Sequence, residues 1–291
     1  MSRENVLIQL DVDEQPSAFD SLVAIDAGAR HLLRYTQVDE LSVPGIVHGA
    51  MFTRGPKELR HTAIFVGGGD VGLAHKVLRK VQETFFGPFR VSVLFDPNGA
   101  NTTAVAAVHL AGRHVELIDP TTRVLVLGGT GAVGRRIALL AAAQGAVVTV
   151  GSRDLARAQA TIEEITTRLS GQGQLRPAEL VEPLSIASAV GEHTCVFAAG
   201  AAGVEFVSAP APPADSSLRV AVDVNAVPPH GIRWIGANDQ AEQRDGVVCY
   251  GALGVGGLKM KIHRRALESI FERNDLVLDA EELMRLANEM P

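Results

Sequence analysis

The most regular hydrophobic pattern lies in the middle of the chain. Residues 123–127 (RVLVL) form an aliphatic run, which is typical of a parallel strand covered on both faces. Residues 132–144, rich in alanine and leucine and ending before Gly145, predict a helix. Residues 146–153 predict a second buried strand, and residues 154–170 predict a longer helix with one apolar face. Together these segments predict a β-α-β-α unit with short connections.

The rest of the chain predicts more strands and helices of the same kind. Residues 71–86 carry apolar side chains at helical spacing. Asp279 followed by Glu282 predicts a capping box at the start of the last helix. Residues 208–214, rich in alanine and proline, predict a loop. Further strands are predicted at 5–10, 61–66, 90–95, 194–199 and 219–224, and further helices at 101–112, 259–272 and 279–290. The pattern favours an α/β fold.

Length and composition limit the class of protein. With 291 residues, 46% of them hydrophobic, the chain can form two domains, because single cores stop growing at roughly 250–300 residues. The net charge of −6, with scattered Lys and Arg, argues against a nucleic-acid partner. The N-terminus lacks the apolar core of a secretory signal, and the longest apolar stretch, residues 137–150, is too short to cross a membrane. We therefore expect a cytoplasmic protein with no membrane partner.

The turn after the first of these strands fits the dinucleotide pattern G-x-G-x-x-G. It follows a strand directly and opens a helix, which is the context that the pattern requires. The first glycine permits the tight turn, the second lets a pyrophosphate approach the backbone, and the third lets the helix pack closely on the strand. A plain glycine-rich turn in a parallel sheet is the alternative. The predicted cofactor-binding residues here are Gly129, Thr130, Gly131, Ala132, Val133 and Gly134.

The end of the second strand bears on which nicotinamide cofactor is used. An NAD site usually places Asp or Glu there, about 20 residues past the first glycine, to bind the ribose hydroxyls. This chain has Gly151, Ser152 and Arg153 instead, and a hydroxyl with a guanidinium suits a 2′-phosphate. Arg153 could equally be an exposed residue in the first turn of a helix, and Asp154 could still reach a ribose. The sequence therefore favours NADP and leaves NAD open.

Several polar segments, most of them following predicted strands, predict a lined cleft, because ligands bind beyond the carboxyl ends of parallel strands. Asp11 and Asp13 lack the partners of a metal site, so no metal is expected. His263 is interpreted as a helix-face residue rather than a base, and no hydrolase motif is found. Cys195 and Cys249 lie in short apolar runs and are predicted to be buried free thiols. The polar segments are 11–20, 65–70, 96–103, 223–229 and 251–264.

Seven short runs, spread from about residue 5 to the C-terminus, carry a resemblance to a known family. They are PSAFD (16–20), TRG (53–55), FVGGGD (65–70), FFGPFRVS (85–92), NGANTT (98–103), GGTGAVG (128–134) and GALGVGGLKMKIHR (251–264). These runs resemble the NAD(P)-dependent methylene-tetrahydromethanopterin dehydrogenases of methylotrophic and related bacteria. FVGGGD, FFGPFR and GALGVGGLK are far more specific to that family than the dinucleotide pattern is.

The resemblance implies an activity and partners. The family oxidises N5,N10-methylene-tetrahydromethanopterin to the methenyl form and passes hydride to NAD(P), and some members accept the tetrahydrofolate analogue. Such enzymes serve one-carbon metabolism and formaldehyde oxidation, and they form homo-oligomers, trimers or hexamers. The product is a resonance-stabilised cation and no proton is removed, so no general base is required. The protein must bring the reacting carbon within roughly 3–3.5 Å of nicotinamide C4.

The resemblance also implies roles for individual residues. Asp20 would stabilise the developing positive charge and Lys259 would approach the pterin, so these two are the predicted catalytic residues. The predicted substrate contacts are Asn98, Asn101 and Thr102. The predicted contacts with the nicotinamide and its ribose are Ala199, Gly200 and Asn225.

The motifs divide the chain into two predicted domains. Residues 1–119, completed by helices in 258–291, would form an α/β pterin-binding domain, and residues 120–257 a Rossmann NAD(P)-binding domain. Two alternatives remain open. Another NADP-dependent dehydrogenase of shikimate or quinone type would need a Lys/Asp pair in the first domain, for which no convincing spacing is found. A non-catalytic NADP-binding sensor would lack the polar, glycine-rich domain ahead of the dinucleotide unit.

Overall fold

The computed structural model of this protein describes residues 3–211 and 216–290. The chain divides into a terminal unit, Met1–Thr102 with Met260–Pro291, and a central unit, Thr103–Lys259. This α/β fold with two units confirms the predicted fold class. The predicted domain bounds, 1–119, 120–257 and 258–291, differ from these units and stay a prediction. Of the predicted loop, residues 212–214 lie outside the described residues, and residues 208–211 form neither helix nor strand.

Strands and helices alternate along the chain. The strands of the described residues are β1 (Val6–Asp11), β2 (His31–Tyr35), β3 (Thr62–Gly67), β4 (Ser92–Phe95), β5 (Arg123–Leu127), β6 (Val147–Ser152), β7 (Gln174–Glu179), β8 (Cys195–Ala198), β9 (Val220–Asp223), β10 (Gln240–Arg244), β11 (Val247–Tyr250) and β12 (Val277–Leu278). The α-helices are α1 (Ala18–Asp26), α2 (Val43–Phe52), α3 (Val71–Thr84), α4 (Ala100–Ala111), α5 (Ala132–Gln144), α6 (Leu155–Arg168), α7 (Pro183–Glu192), α8 (Ala252–Ser269) and α9 (Ala280–Asn288).

The terminal unit contains a five-stranded parallel sheet in the order β12-β4-β3-β1-β2. Strands β3 and β4 are buried along their whole length, as expected for aliphatic strands inside a parallel sheet. From β1 the chain runs to β2 on one side and then to β3 on the other. The topological switch point, where open parallel sheets bind ligands, therefore lies beyond the carboxyl ends of β1 and β3.

The central unit contains a seven-stranded sheet in the order β10-β11-β9-β8-β5-β6-β7. All neighbouring strands are parallel except β10, which pairs antiparallel with β11 at the edge. Counted from β5, the six parallel strands have the order 3-2-1-4-5-6 of the Rossmann fold. The predicted Rossmann unit is thereby confirmed, and its switch point lies beyond the ends of β5 and β8.

The structure confirms several local predictions. The first strand and helix of the Rossmann unit have the predicted bounds, and Gly145 ends α5 in the left-handed conformation. The capping box of Asp279 and Glu282 is present at α9. Cys195 and Cys249 are buried and free. Across the described residues, none of the helices has the length and apolarity needed to span a bilayer.

The glycine-rich run near residue 251 differs from its prediction. We expected a polar segment at a cleft, with a helix from 259, whereas α8 already begins at Ala252. Glycine is unfavourable inside a helix, but here it allows a close approach of two backbone segments. A Cβ on Gly254 would overlap the carbonyl oxygen of Asp239, and the Leu253 N–H donates to the carbonyl of Ala237 at 2.8 Å. Packing therefore compensates for the weak helix propensity.

Candidate active site

The glycine turn between β5 and α5 is packed as tightly as the dinucleotide pattern requires. A Cβ on Gly134 would overlap the carbonyl oxygen of Gly128, so only glycine lets α5 begin this close to the strand. A Cβ on Gly129 would lie 2.8 Å from Val150 Cγ1. Both positions therefore need glycine for reasons internal to the protein.

Gly131 has a different reason to be glycine. Its φ of −80° suits any residue, and an added Cβ would meet no atom closer than 3.3 Å, the Gly128 oxygen. Packing therefore restrains this position less than Gly134, and the dinucleotide pattern assigns its glycine to the close approach of a pyrophosphate. The first amides of α5 have no partner within the helix, and the helix dipole favours an anion there. This arrangement can hold a diphosphate.

The two segments that flank this switch point touch each other. A Cβ on Gly128 would come within 2.8 Å of Gly200 Cα, and the Ala199 N–H donates to the Leu127 carbonyl at 2.9 Å. The predicted cofactor residues Ala199 and Gly200 therefore lie directly beside the glycine turn. Backbone atoms alone form this part of the site.

Asn225 follows β9 and is nearly buried. Its Oδ1 accepts from the Val227 N–H at 3.0 Å, and its Nδ2 donates to the Pro229 carbonyl at 3.3 Å. Asp223 braces the same loop by accepting from the N–H groups of Asn225 and Ile232, and burial raises the pKa of Asp223. The structure gives Asn225 a role in closing the loop, and its contact with a nicotinamide stays a prediction.

The end of β6 offers one free cationic side chain. Arg153 is exposed, and no ion pair or hydrogen bond to its side chain is seen within the described ranges. Asp154 caps α6, because its Oδ1 accepts from the Arg157 N–H at 3.1 Å, and Ser152 Oγ accepts from the Asp154 N–H at 3.1 Å. Asp154 is therefore already engaged with the backbone, whereas the Arg153 guanidinium is available to a 2′-phosphate.

In the terminal unit, acidic side chains brace the loops at the switch point. Asp11 accepts from the N–H groups of Asp13 and Ser17, both at 3.1 Å. Asp13 accepts from the Gly69 N–H at 2.8 Å, which joins the loops after β1 and β3. Ser17 caps α1 by accepting from the Asp20 N–H at 3.2 Å. The carboxylates of Asp11 and Asp13 are therefore engaged in hydrogen bonds with backbone N–H groups. Within the described ranges, no group of three His, Cys, Asp or Glu side chains could hold a metal ion.

Asp20, a predicted catalytic residue, lies in the first turn of α1 and is 8% exposed. Its Oδ1 is 3.7 Å from Nε2 of His263, and Nδ1 of the same ring is 3.5 Å from Oδ2 of Asp96. His263 is wholly buried, between two carboxylates. Sequence reasoning missed this arrangement, because the three residues lie far apart in the chain and no local pattern joins them.

The three predicted substrate residues divide into two kinds. Asn98 is exposed and has a positive φ of 54°, a conformation that Asn tolerates well. Asn101 and Thr102 are fully buried. Asn101 Nδ2 donates to the Phe95 carbonyl at 2.6 Å, and Thr102 Oγ1 donates to Asp96 Oδ2 at 2.6 Å. Their contact with a substrate stays a prediction, and their burial argues for a supporting role instead.

Lys259, the second predicted catalytic residue, lies on α8 and is half-buried. It precedes His263 by four residues, so the two side chains project from the same side of the helix. Lys261 on the same helix is exposed. The structure therefore distinguishes a half-buried lysine from a solvent-exposed one within a single helical turn.

Comparison with known proteins links this geometry to a family. Residues 18–98 match the family described as methylene-tetrahydromethanopterin dehydrogenase, N-terminal. The chain is 42% identical over 287 residues to the bifunctional protein MdtA of Methylorubrum extorquens, covering 99% of both chains. It is also 30% identical over 295 residues to the NAD(P)-dependent methylenetetrahydromethanopterin dehydrogenase of the same organism, covering 98% of both chains.

Two solved structures share the fold. The quinate dehydrogenase of Corynebacterium glutamicum in complex with NAD matches with a TM-score of 0.51 and 14% identity, covering 99% of this chain and 100% of that one. The shikimate 5-dehydrogenase of Listeria monocytogenes in complex with shikimate and NAD matches with a TM-score of 0.52 and 15% identity, covering 97% and 96%. At this identity the likeness concerns the fold alone.

Proposed function

Because the chain belongs to the methylene-tetrahydromethanopterin dehydrogenase family, we propose that it transfers hydride from N5,N10-methylene-tetrahydromethanopterin to NADP, giving the methenyl form. The observation that carries this proposal is the match over 98% of its length to a relative of that name. The Rossmann turn supports the nicotinamide cofactor, since Gly134 lets α5 begin close to the strand and Gly131 stands where the dinucleotide pattern places the pyrophosphate. The fold likeness to shikimate- and quinate-type dehydrogenases does not favour that alternative.

The chemistry requires positioning and electrostatics rather than proton transfer. Bound NADP supplies nicotinamide C4 as the hydride acceptor. Losing hydride leaves the bridging carbon of the pterin in a resonance-stabilised cation, and no proton has to leave. The Asp20 carboxylate would stabilise this developing charge, and its low exposure would strengthen the interaction. Asn98 would offer its exposed amide to the pterin edge, and Lys259 would orient the pterin.

The preference for NADP rests on the end of β6. The exposed Arg153 and the Ser152 hydroxyl would bind the 2′-phosphate, whereas Asp154 is engaged in capping α6. The backbone of Ala199 and Gly200, with Asn225, would contact the nicotinamide ribose. NAD, which lacks the phosphate, would bind the same glycine turn more weakly.

The activity is tested by following absorbance at 340 nm with methylene-tetrahydromethanopterin and NADP, then NAD, then the tetrahydrofolate analogue. Reduction of NADP is expected. Replacing Asp20 with Asn should lower kcat about 100-fold, because a preorganised charge is lost. Asp26→Asn is the matched control on the same helix, since Asp26 is exposed and full activity is expected. If neither pterin supports reduction of either cofactor, the proposed function is wrong.

Lys259 has its own test on the same assay. Lys259→Ala should raise the pterin KM or lower kcat, while the affinity for NADP survives. Lys261→Ala, which removes an exposed lysine from the same helix, should leave both constants unchanged. Unchanged kinetics for Lys259→Ala would remove this residue from the proposed site.

We further propose that the protein is a homo-oligomer that acts in the cytoplasm, in one-carbon metabolism and formaldehyde oxidation. Phe19, Leu22 and Ile25 are exposed along one side of α1, and Leu33 and Tyr35 are exposed on the edge strand β2. Apolar side chains beside an unpaired edge strand are typical of a surface that another chain covers. Leu22→Lys should lower the mass measured by analytical ultracentrifugation. An unchanged mass would place the interface elsewhere.

A further inference from the structure

A buried row of ionisable side chains crosses the terminal unit. Asp20 comes from the start of α1, Asp96 follows β4, and His263 comes from α8. The His263 ring lies between the two carboxylates, with Nε2 3.7 Å from Asp20 Oδ1 and Nδ1 3.5 Å from Asp96 Oδ2. Ionisable groups are rarely buried unless they are paired, so their meeting here calls for a physical reason.

One end of the row is rigid. Oδ1 of Asp96 accepts from the backbone N–H groups of Asn101 and Thr102, at 2.9 and 3.0 Å, and Oδ2 accepts from Thr102 Oγ1 at 2.6 Å. These three bonds tie the carboxylate to the first turn of α4, so it cannot rotate without leaving buried donors unsatisfied. Asp96 is therefore a fixed anchor against which the imidazole ring is oriented.

The faces of the ring are also held. The Phe65 ring of β3 stacks on His263 with centroids 6.0 Å apart and an interplanar angle of 20°, and the Phe19 ring meets it edge-on at 6.1 Å. With Nδ1 on the side of Asp96 and both aromatic contacts in place, Nε2 lies on the side of Asp20. The order of groups, a fixed acid, an oriented imidazole and a partly accessible acid, resembles the general arrangement in which one group orients another that meets the substrate.

We propose that His263 is a positioning residue that holds the Asp20 carboxylate in its reactive orientation. This inference rests on the proposed function, in which Asp20 stabilises the positive charge formed when hydride leaves. His263 does not touch the substrate and acts only through Asp20. Lys259 lies one helical turn earlier on α8, so this helix carries both the proposed pterin contact and the residue that supports Asp20.

Two isosteric replacements separate a positioning role from a packing role. The amide of Gln overlays the imidazole Nε2 and keeps a polar contact toward Asp20, whereas the amide of Asn overlays Nδ1 and reaches only Asp96. His263→Asn should lower kcat about 10-fold, within the range of couplings between contacting residues, and His263→Gln should stay within about 3-fold of the wild type. The KM for NADP should remain unchanged in both variants. A packing role predicts equal losses for Asn and Gln.

A double-mutant cycle gives the decisive result. If His263 acts through Asp20, the Asp20→Asn/His263→Asn variant should have the same kcat as Asp20→Asn alone. The proposal is wrong if the kcat losses of the two single variants multiply in the double variant. It is also wrong if His263→Asn keeps the wild-type kcat. If the wild type itself turns over neither pterin, the proposed function fails, and the same four proteins are compared by thermal unfolding. Non-additive shifts in Tm would then support the contact between the two side chains, and additive shifts would refute it.

Discussion

The two sheets present different surfaces at their carboxyl ends. Beyond β5 and β8 the surface consists of backbone, because Gly128, Gly134 and Gly200 leave no room for side chains. Beyond β1 and β4, buried carboxylates hold the loops, because Asp11 and Asp96 each accept hydrogen bonds from neighbouring backbone N–H groups. A diphosphate is recognised by amides and a helix dipole, whereas an incipient cation requires placed negative charge. The glycine turn thus suits a diphosphate directly, whereas Asp11 and Asp96 are buried supports and only Asp20 is proposed to act on the developing cation.

The largest expected effect concerns Gly134. Gly134→Ala forces a Cβ into the Gly128 carbonyl oxygen and should lower the free energy of unfolding by about 4 kcal/mol, at the upper end for overpacking. Urea denaturation measures this change. Gly131→Ala is the matched control, because its Cβ would come no closer than 3.3 Å to the Gly128 oxygen, and it should cost at most about 1 kcal/mol of stability while weakening NADP binding about 10-fold. Equal destabilisation by both variants would contradict the distinction between packing and ligand glycines.

The next effect concerns the carboxylate end. Asp96→Ala leaves the buried N–H groups of Asn101 and Thr102 without an acceptor and should destabilise the protein by about 3 kcal/mol. Asp70→Ala provides the comparison, since exposed Asp70 caps α3 by accepting from the Leu73 N–H, and about 1 kcal/mol is expected. Denaturant unfolding compares the two. If both variants lose a similar free energy of unfolding, the burial of Asp96 does not increase the cost of removing its hydrogen bonds.

A smaller effect concerns cofactor choice. Arg153→Ala should weaken NADP binding about 10-fold, close to 1.4 kcal/mol, because one charge-assisted contact with the phosphate is lost. The affinity for NAD should not change, so NAD itself serves as the internal control. Titrating both cofactors by intrinsic fluorescence or calorimetry tests this. Equal losses for NADP and NAD would show that Arg153 does not recognise the 2′-phosphate.

The smallest effect concerns Asp223, the carboxylate that braces a loop in the central unit. Burial raises its pKa above the 3.8 of an exposed aspartate, so over the pH range between these two pKa values the folded protein retains a proton that the unfolded chain has already released. Stability from this group is thus full below pH 3.8 and falls as the pH rises through the folded pKa. The Tm advantage of the wild type over Asp223→Asn should shrink across that window. A Tm advantage of the wild type that grows with pH would contradict the prediction, because it would mean that folding lowers the pKa of Asp223.

The glycine turn at the carboxyl end of the central sheet was predictable from sequence, because its residues are neighbours in the chain. The turn from Gly128 to Gly134, the helix after it and its stop at Gly145 are adjacent in the chain, so the glycine spacing alone marks them. Strands β7 and β10 escaped prediction because they are polar edge strands without an apolar pattern. Helix α2 (Val43–Phe52) was not predicted, because Pro44 and two glycines lower its helix propensity and tertiary packing stabilises it instead.

The arrangement of carboxylates at the carboxyl end of the terminal sheet was only partly predictable from sequence. Asp20 and Asn98 could be named by resemblance, but the burial of Asn101 and Thr102 depends on Asp96 and on a helix cap near the other end of the chain. His263 was interpreted as a helix-face residue because its sequence neighbours are charged. A pairwise contact between residues 20 and 263 leaves no trace in local periodicity, so only the folded chain reveals it.

The terminal unit is assembled from two stretches of chain that are far apart in sequence. Its edge strand β12 pairs with β4, and His263 reaches Asp20 from α8. On a translating ribosome, residues 103–259 leave the exit tunnel as one continuous stretch, complete in themselves. The N-terminal strands emerge earlier, yet they must wait for residues 260–290, which supply β12 and His263. The central unit can therefore fold before residues 260–290 are synthesised, whereas the terminal unit needs them to complete its sheet and its buried imidazole.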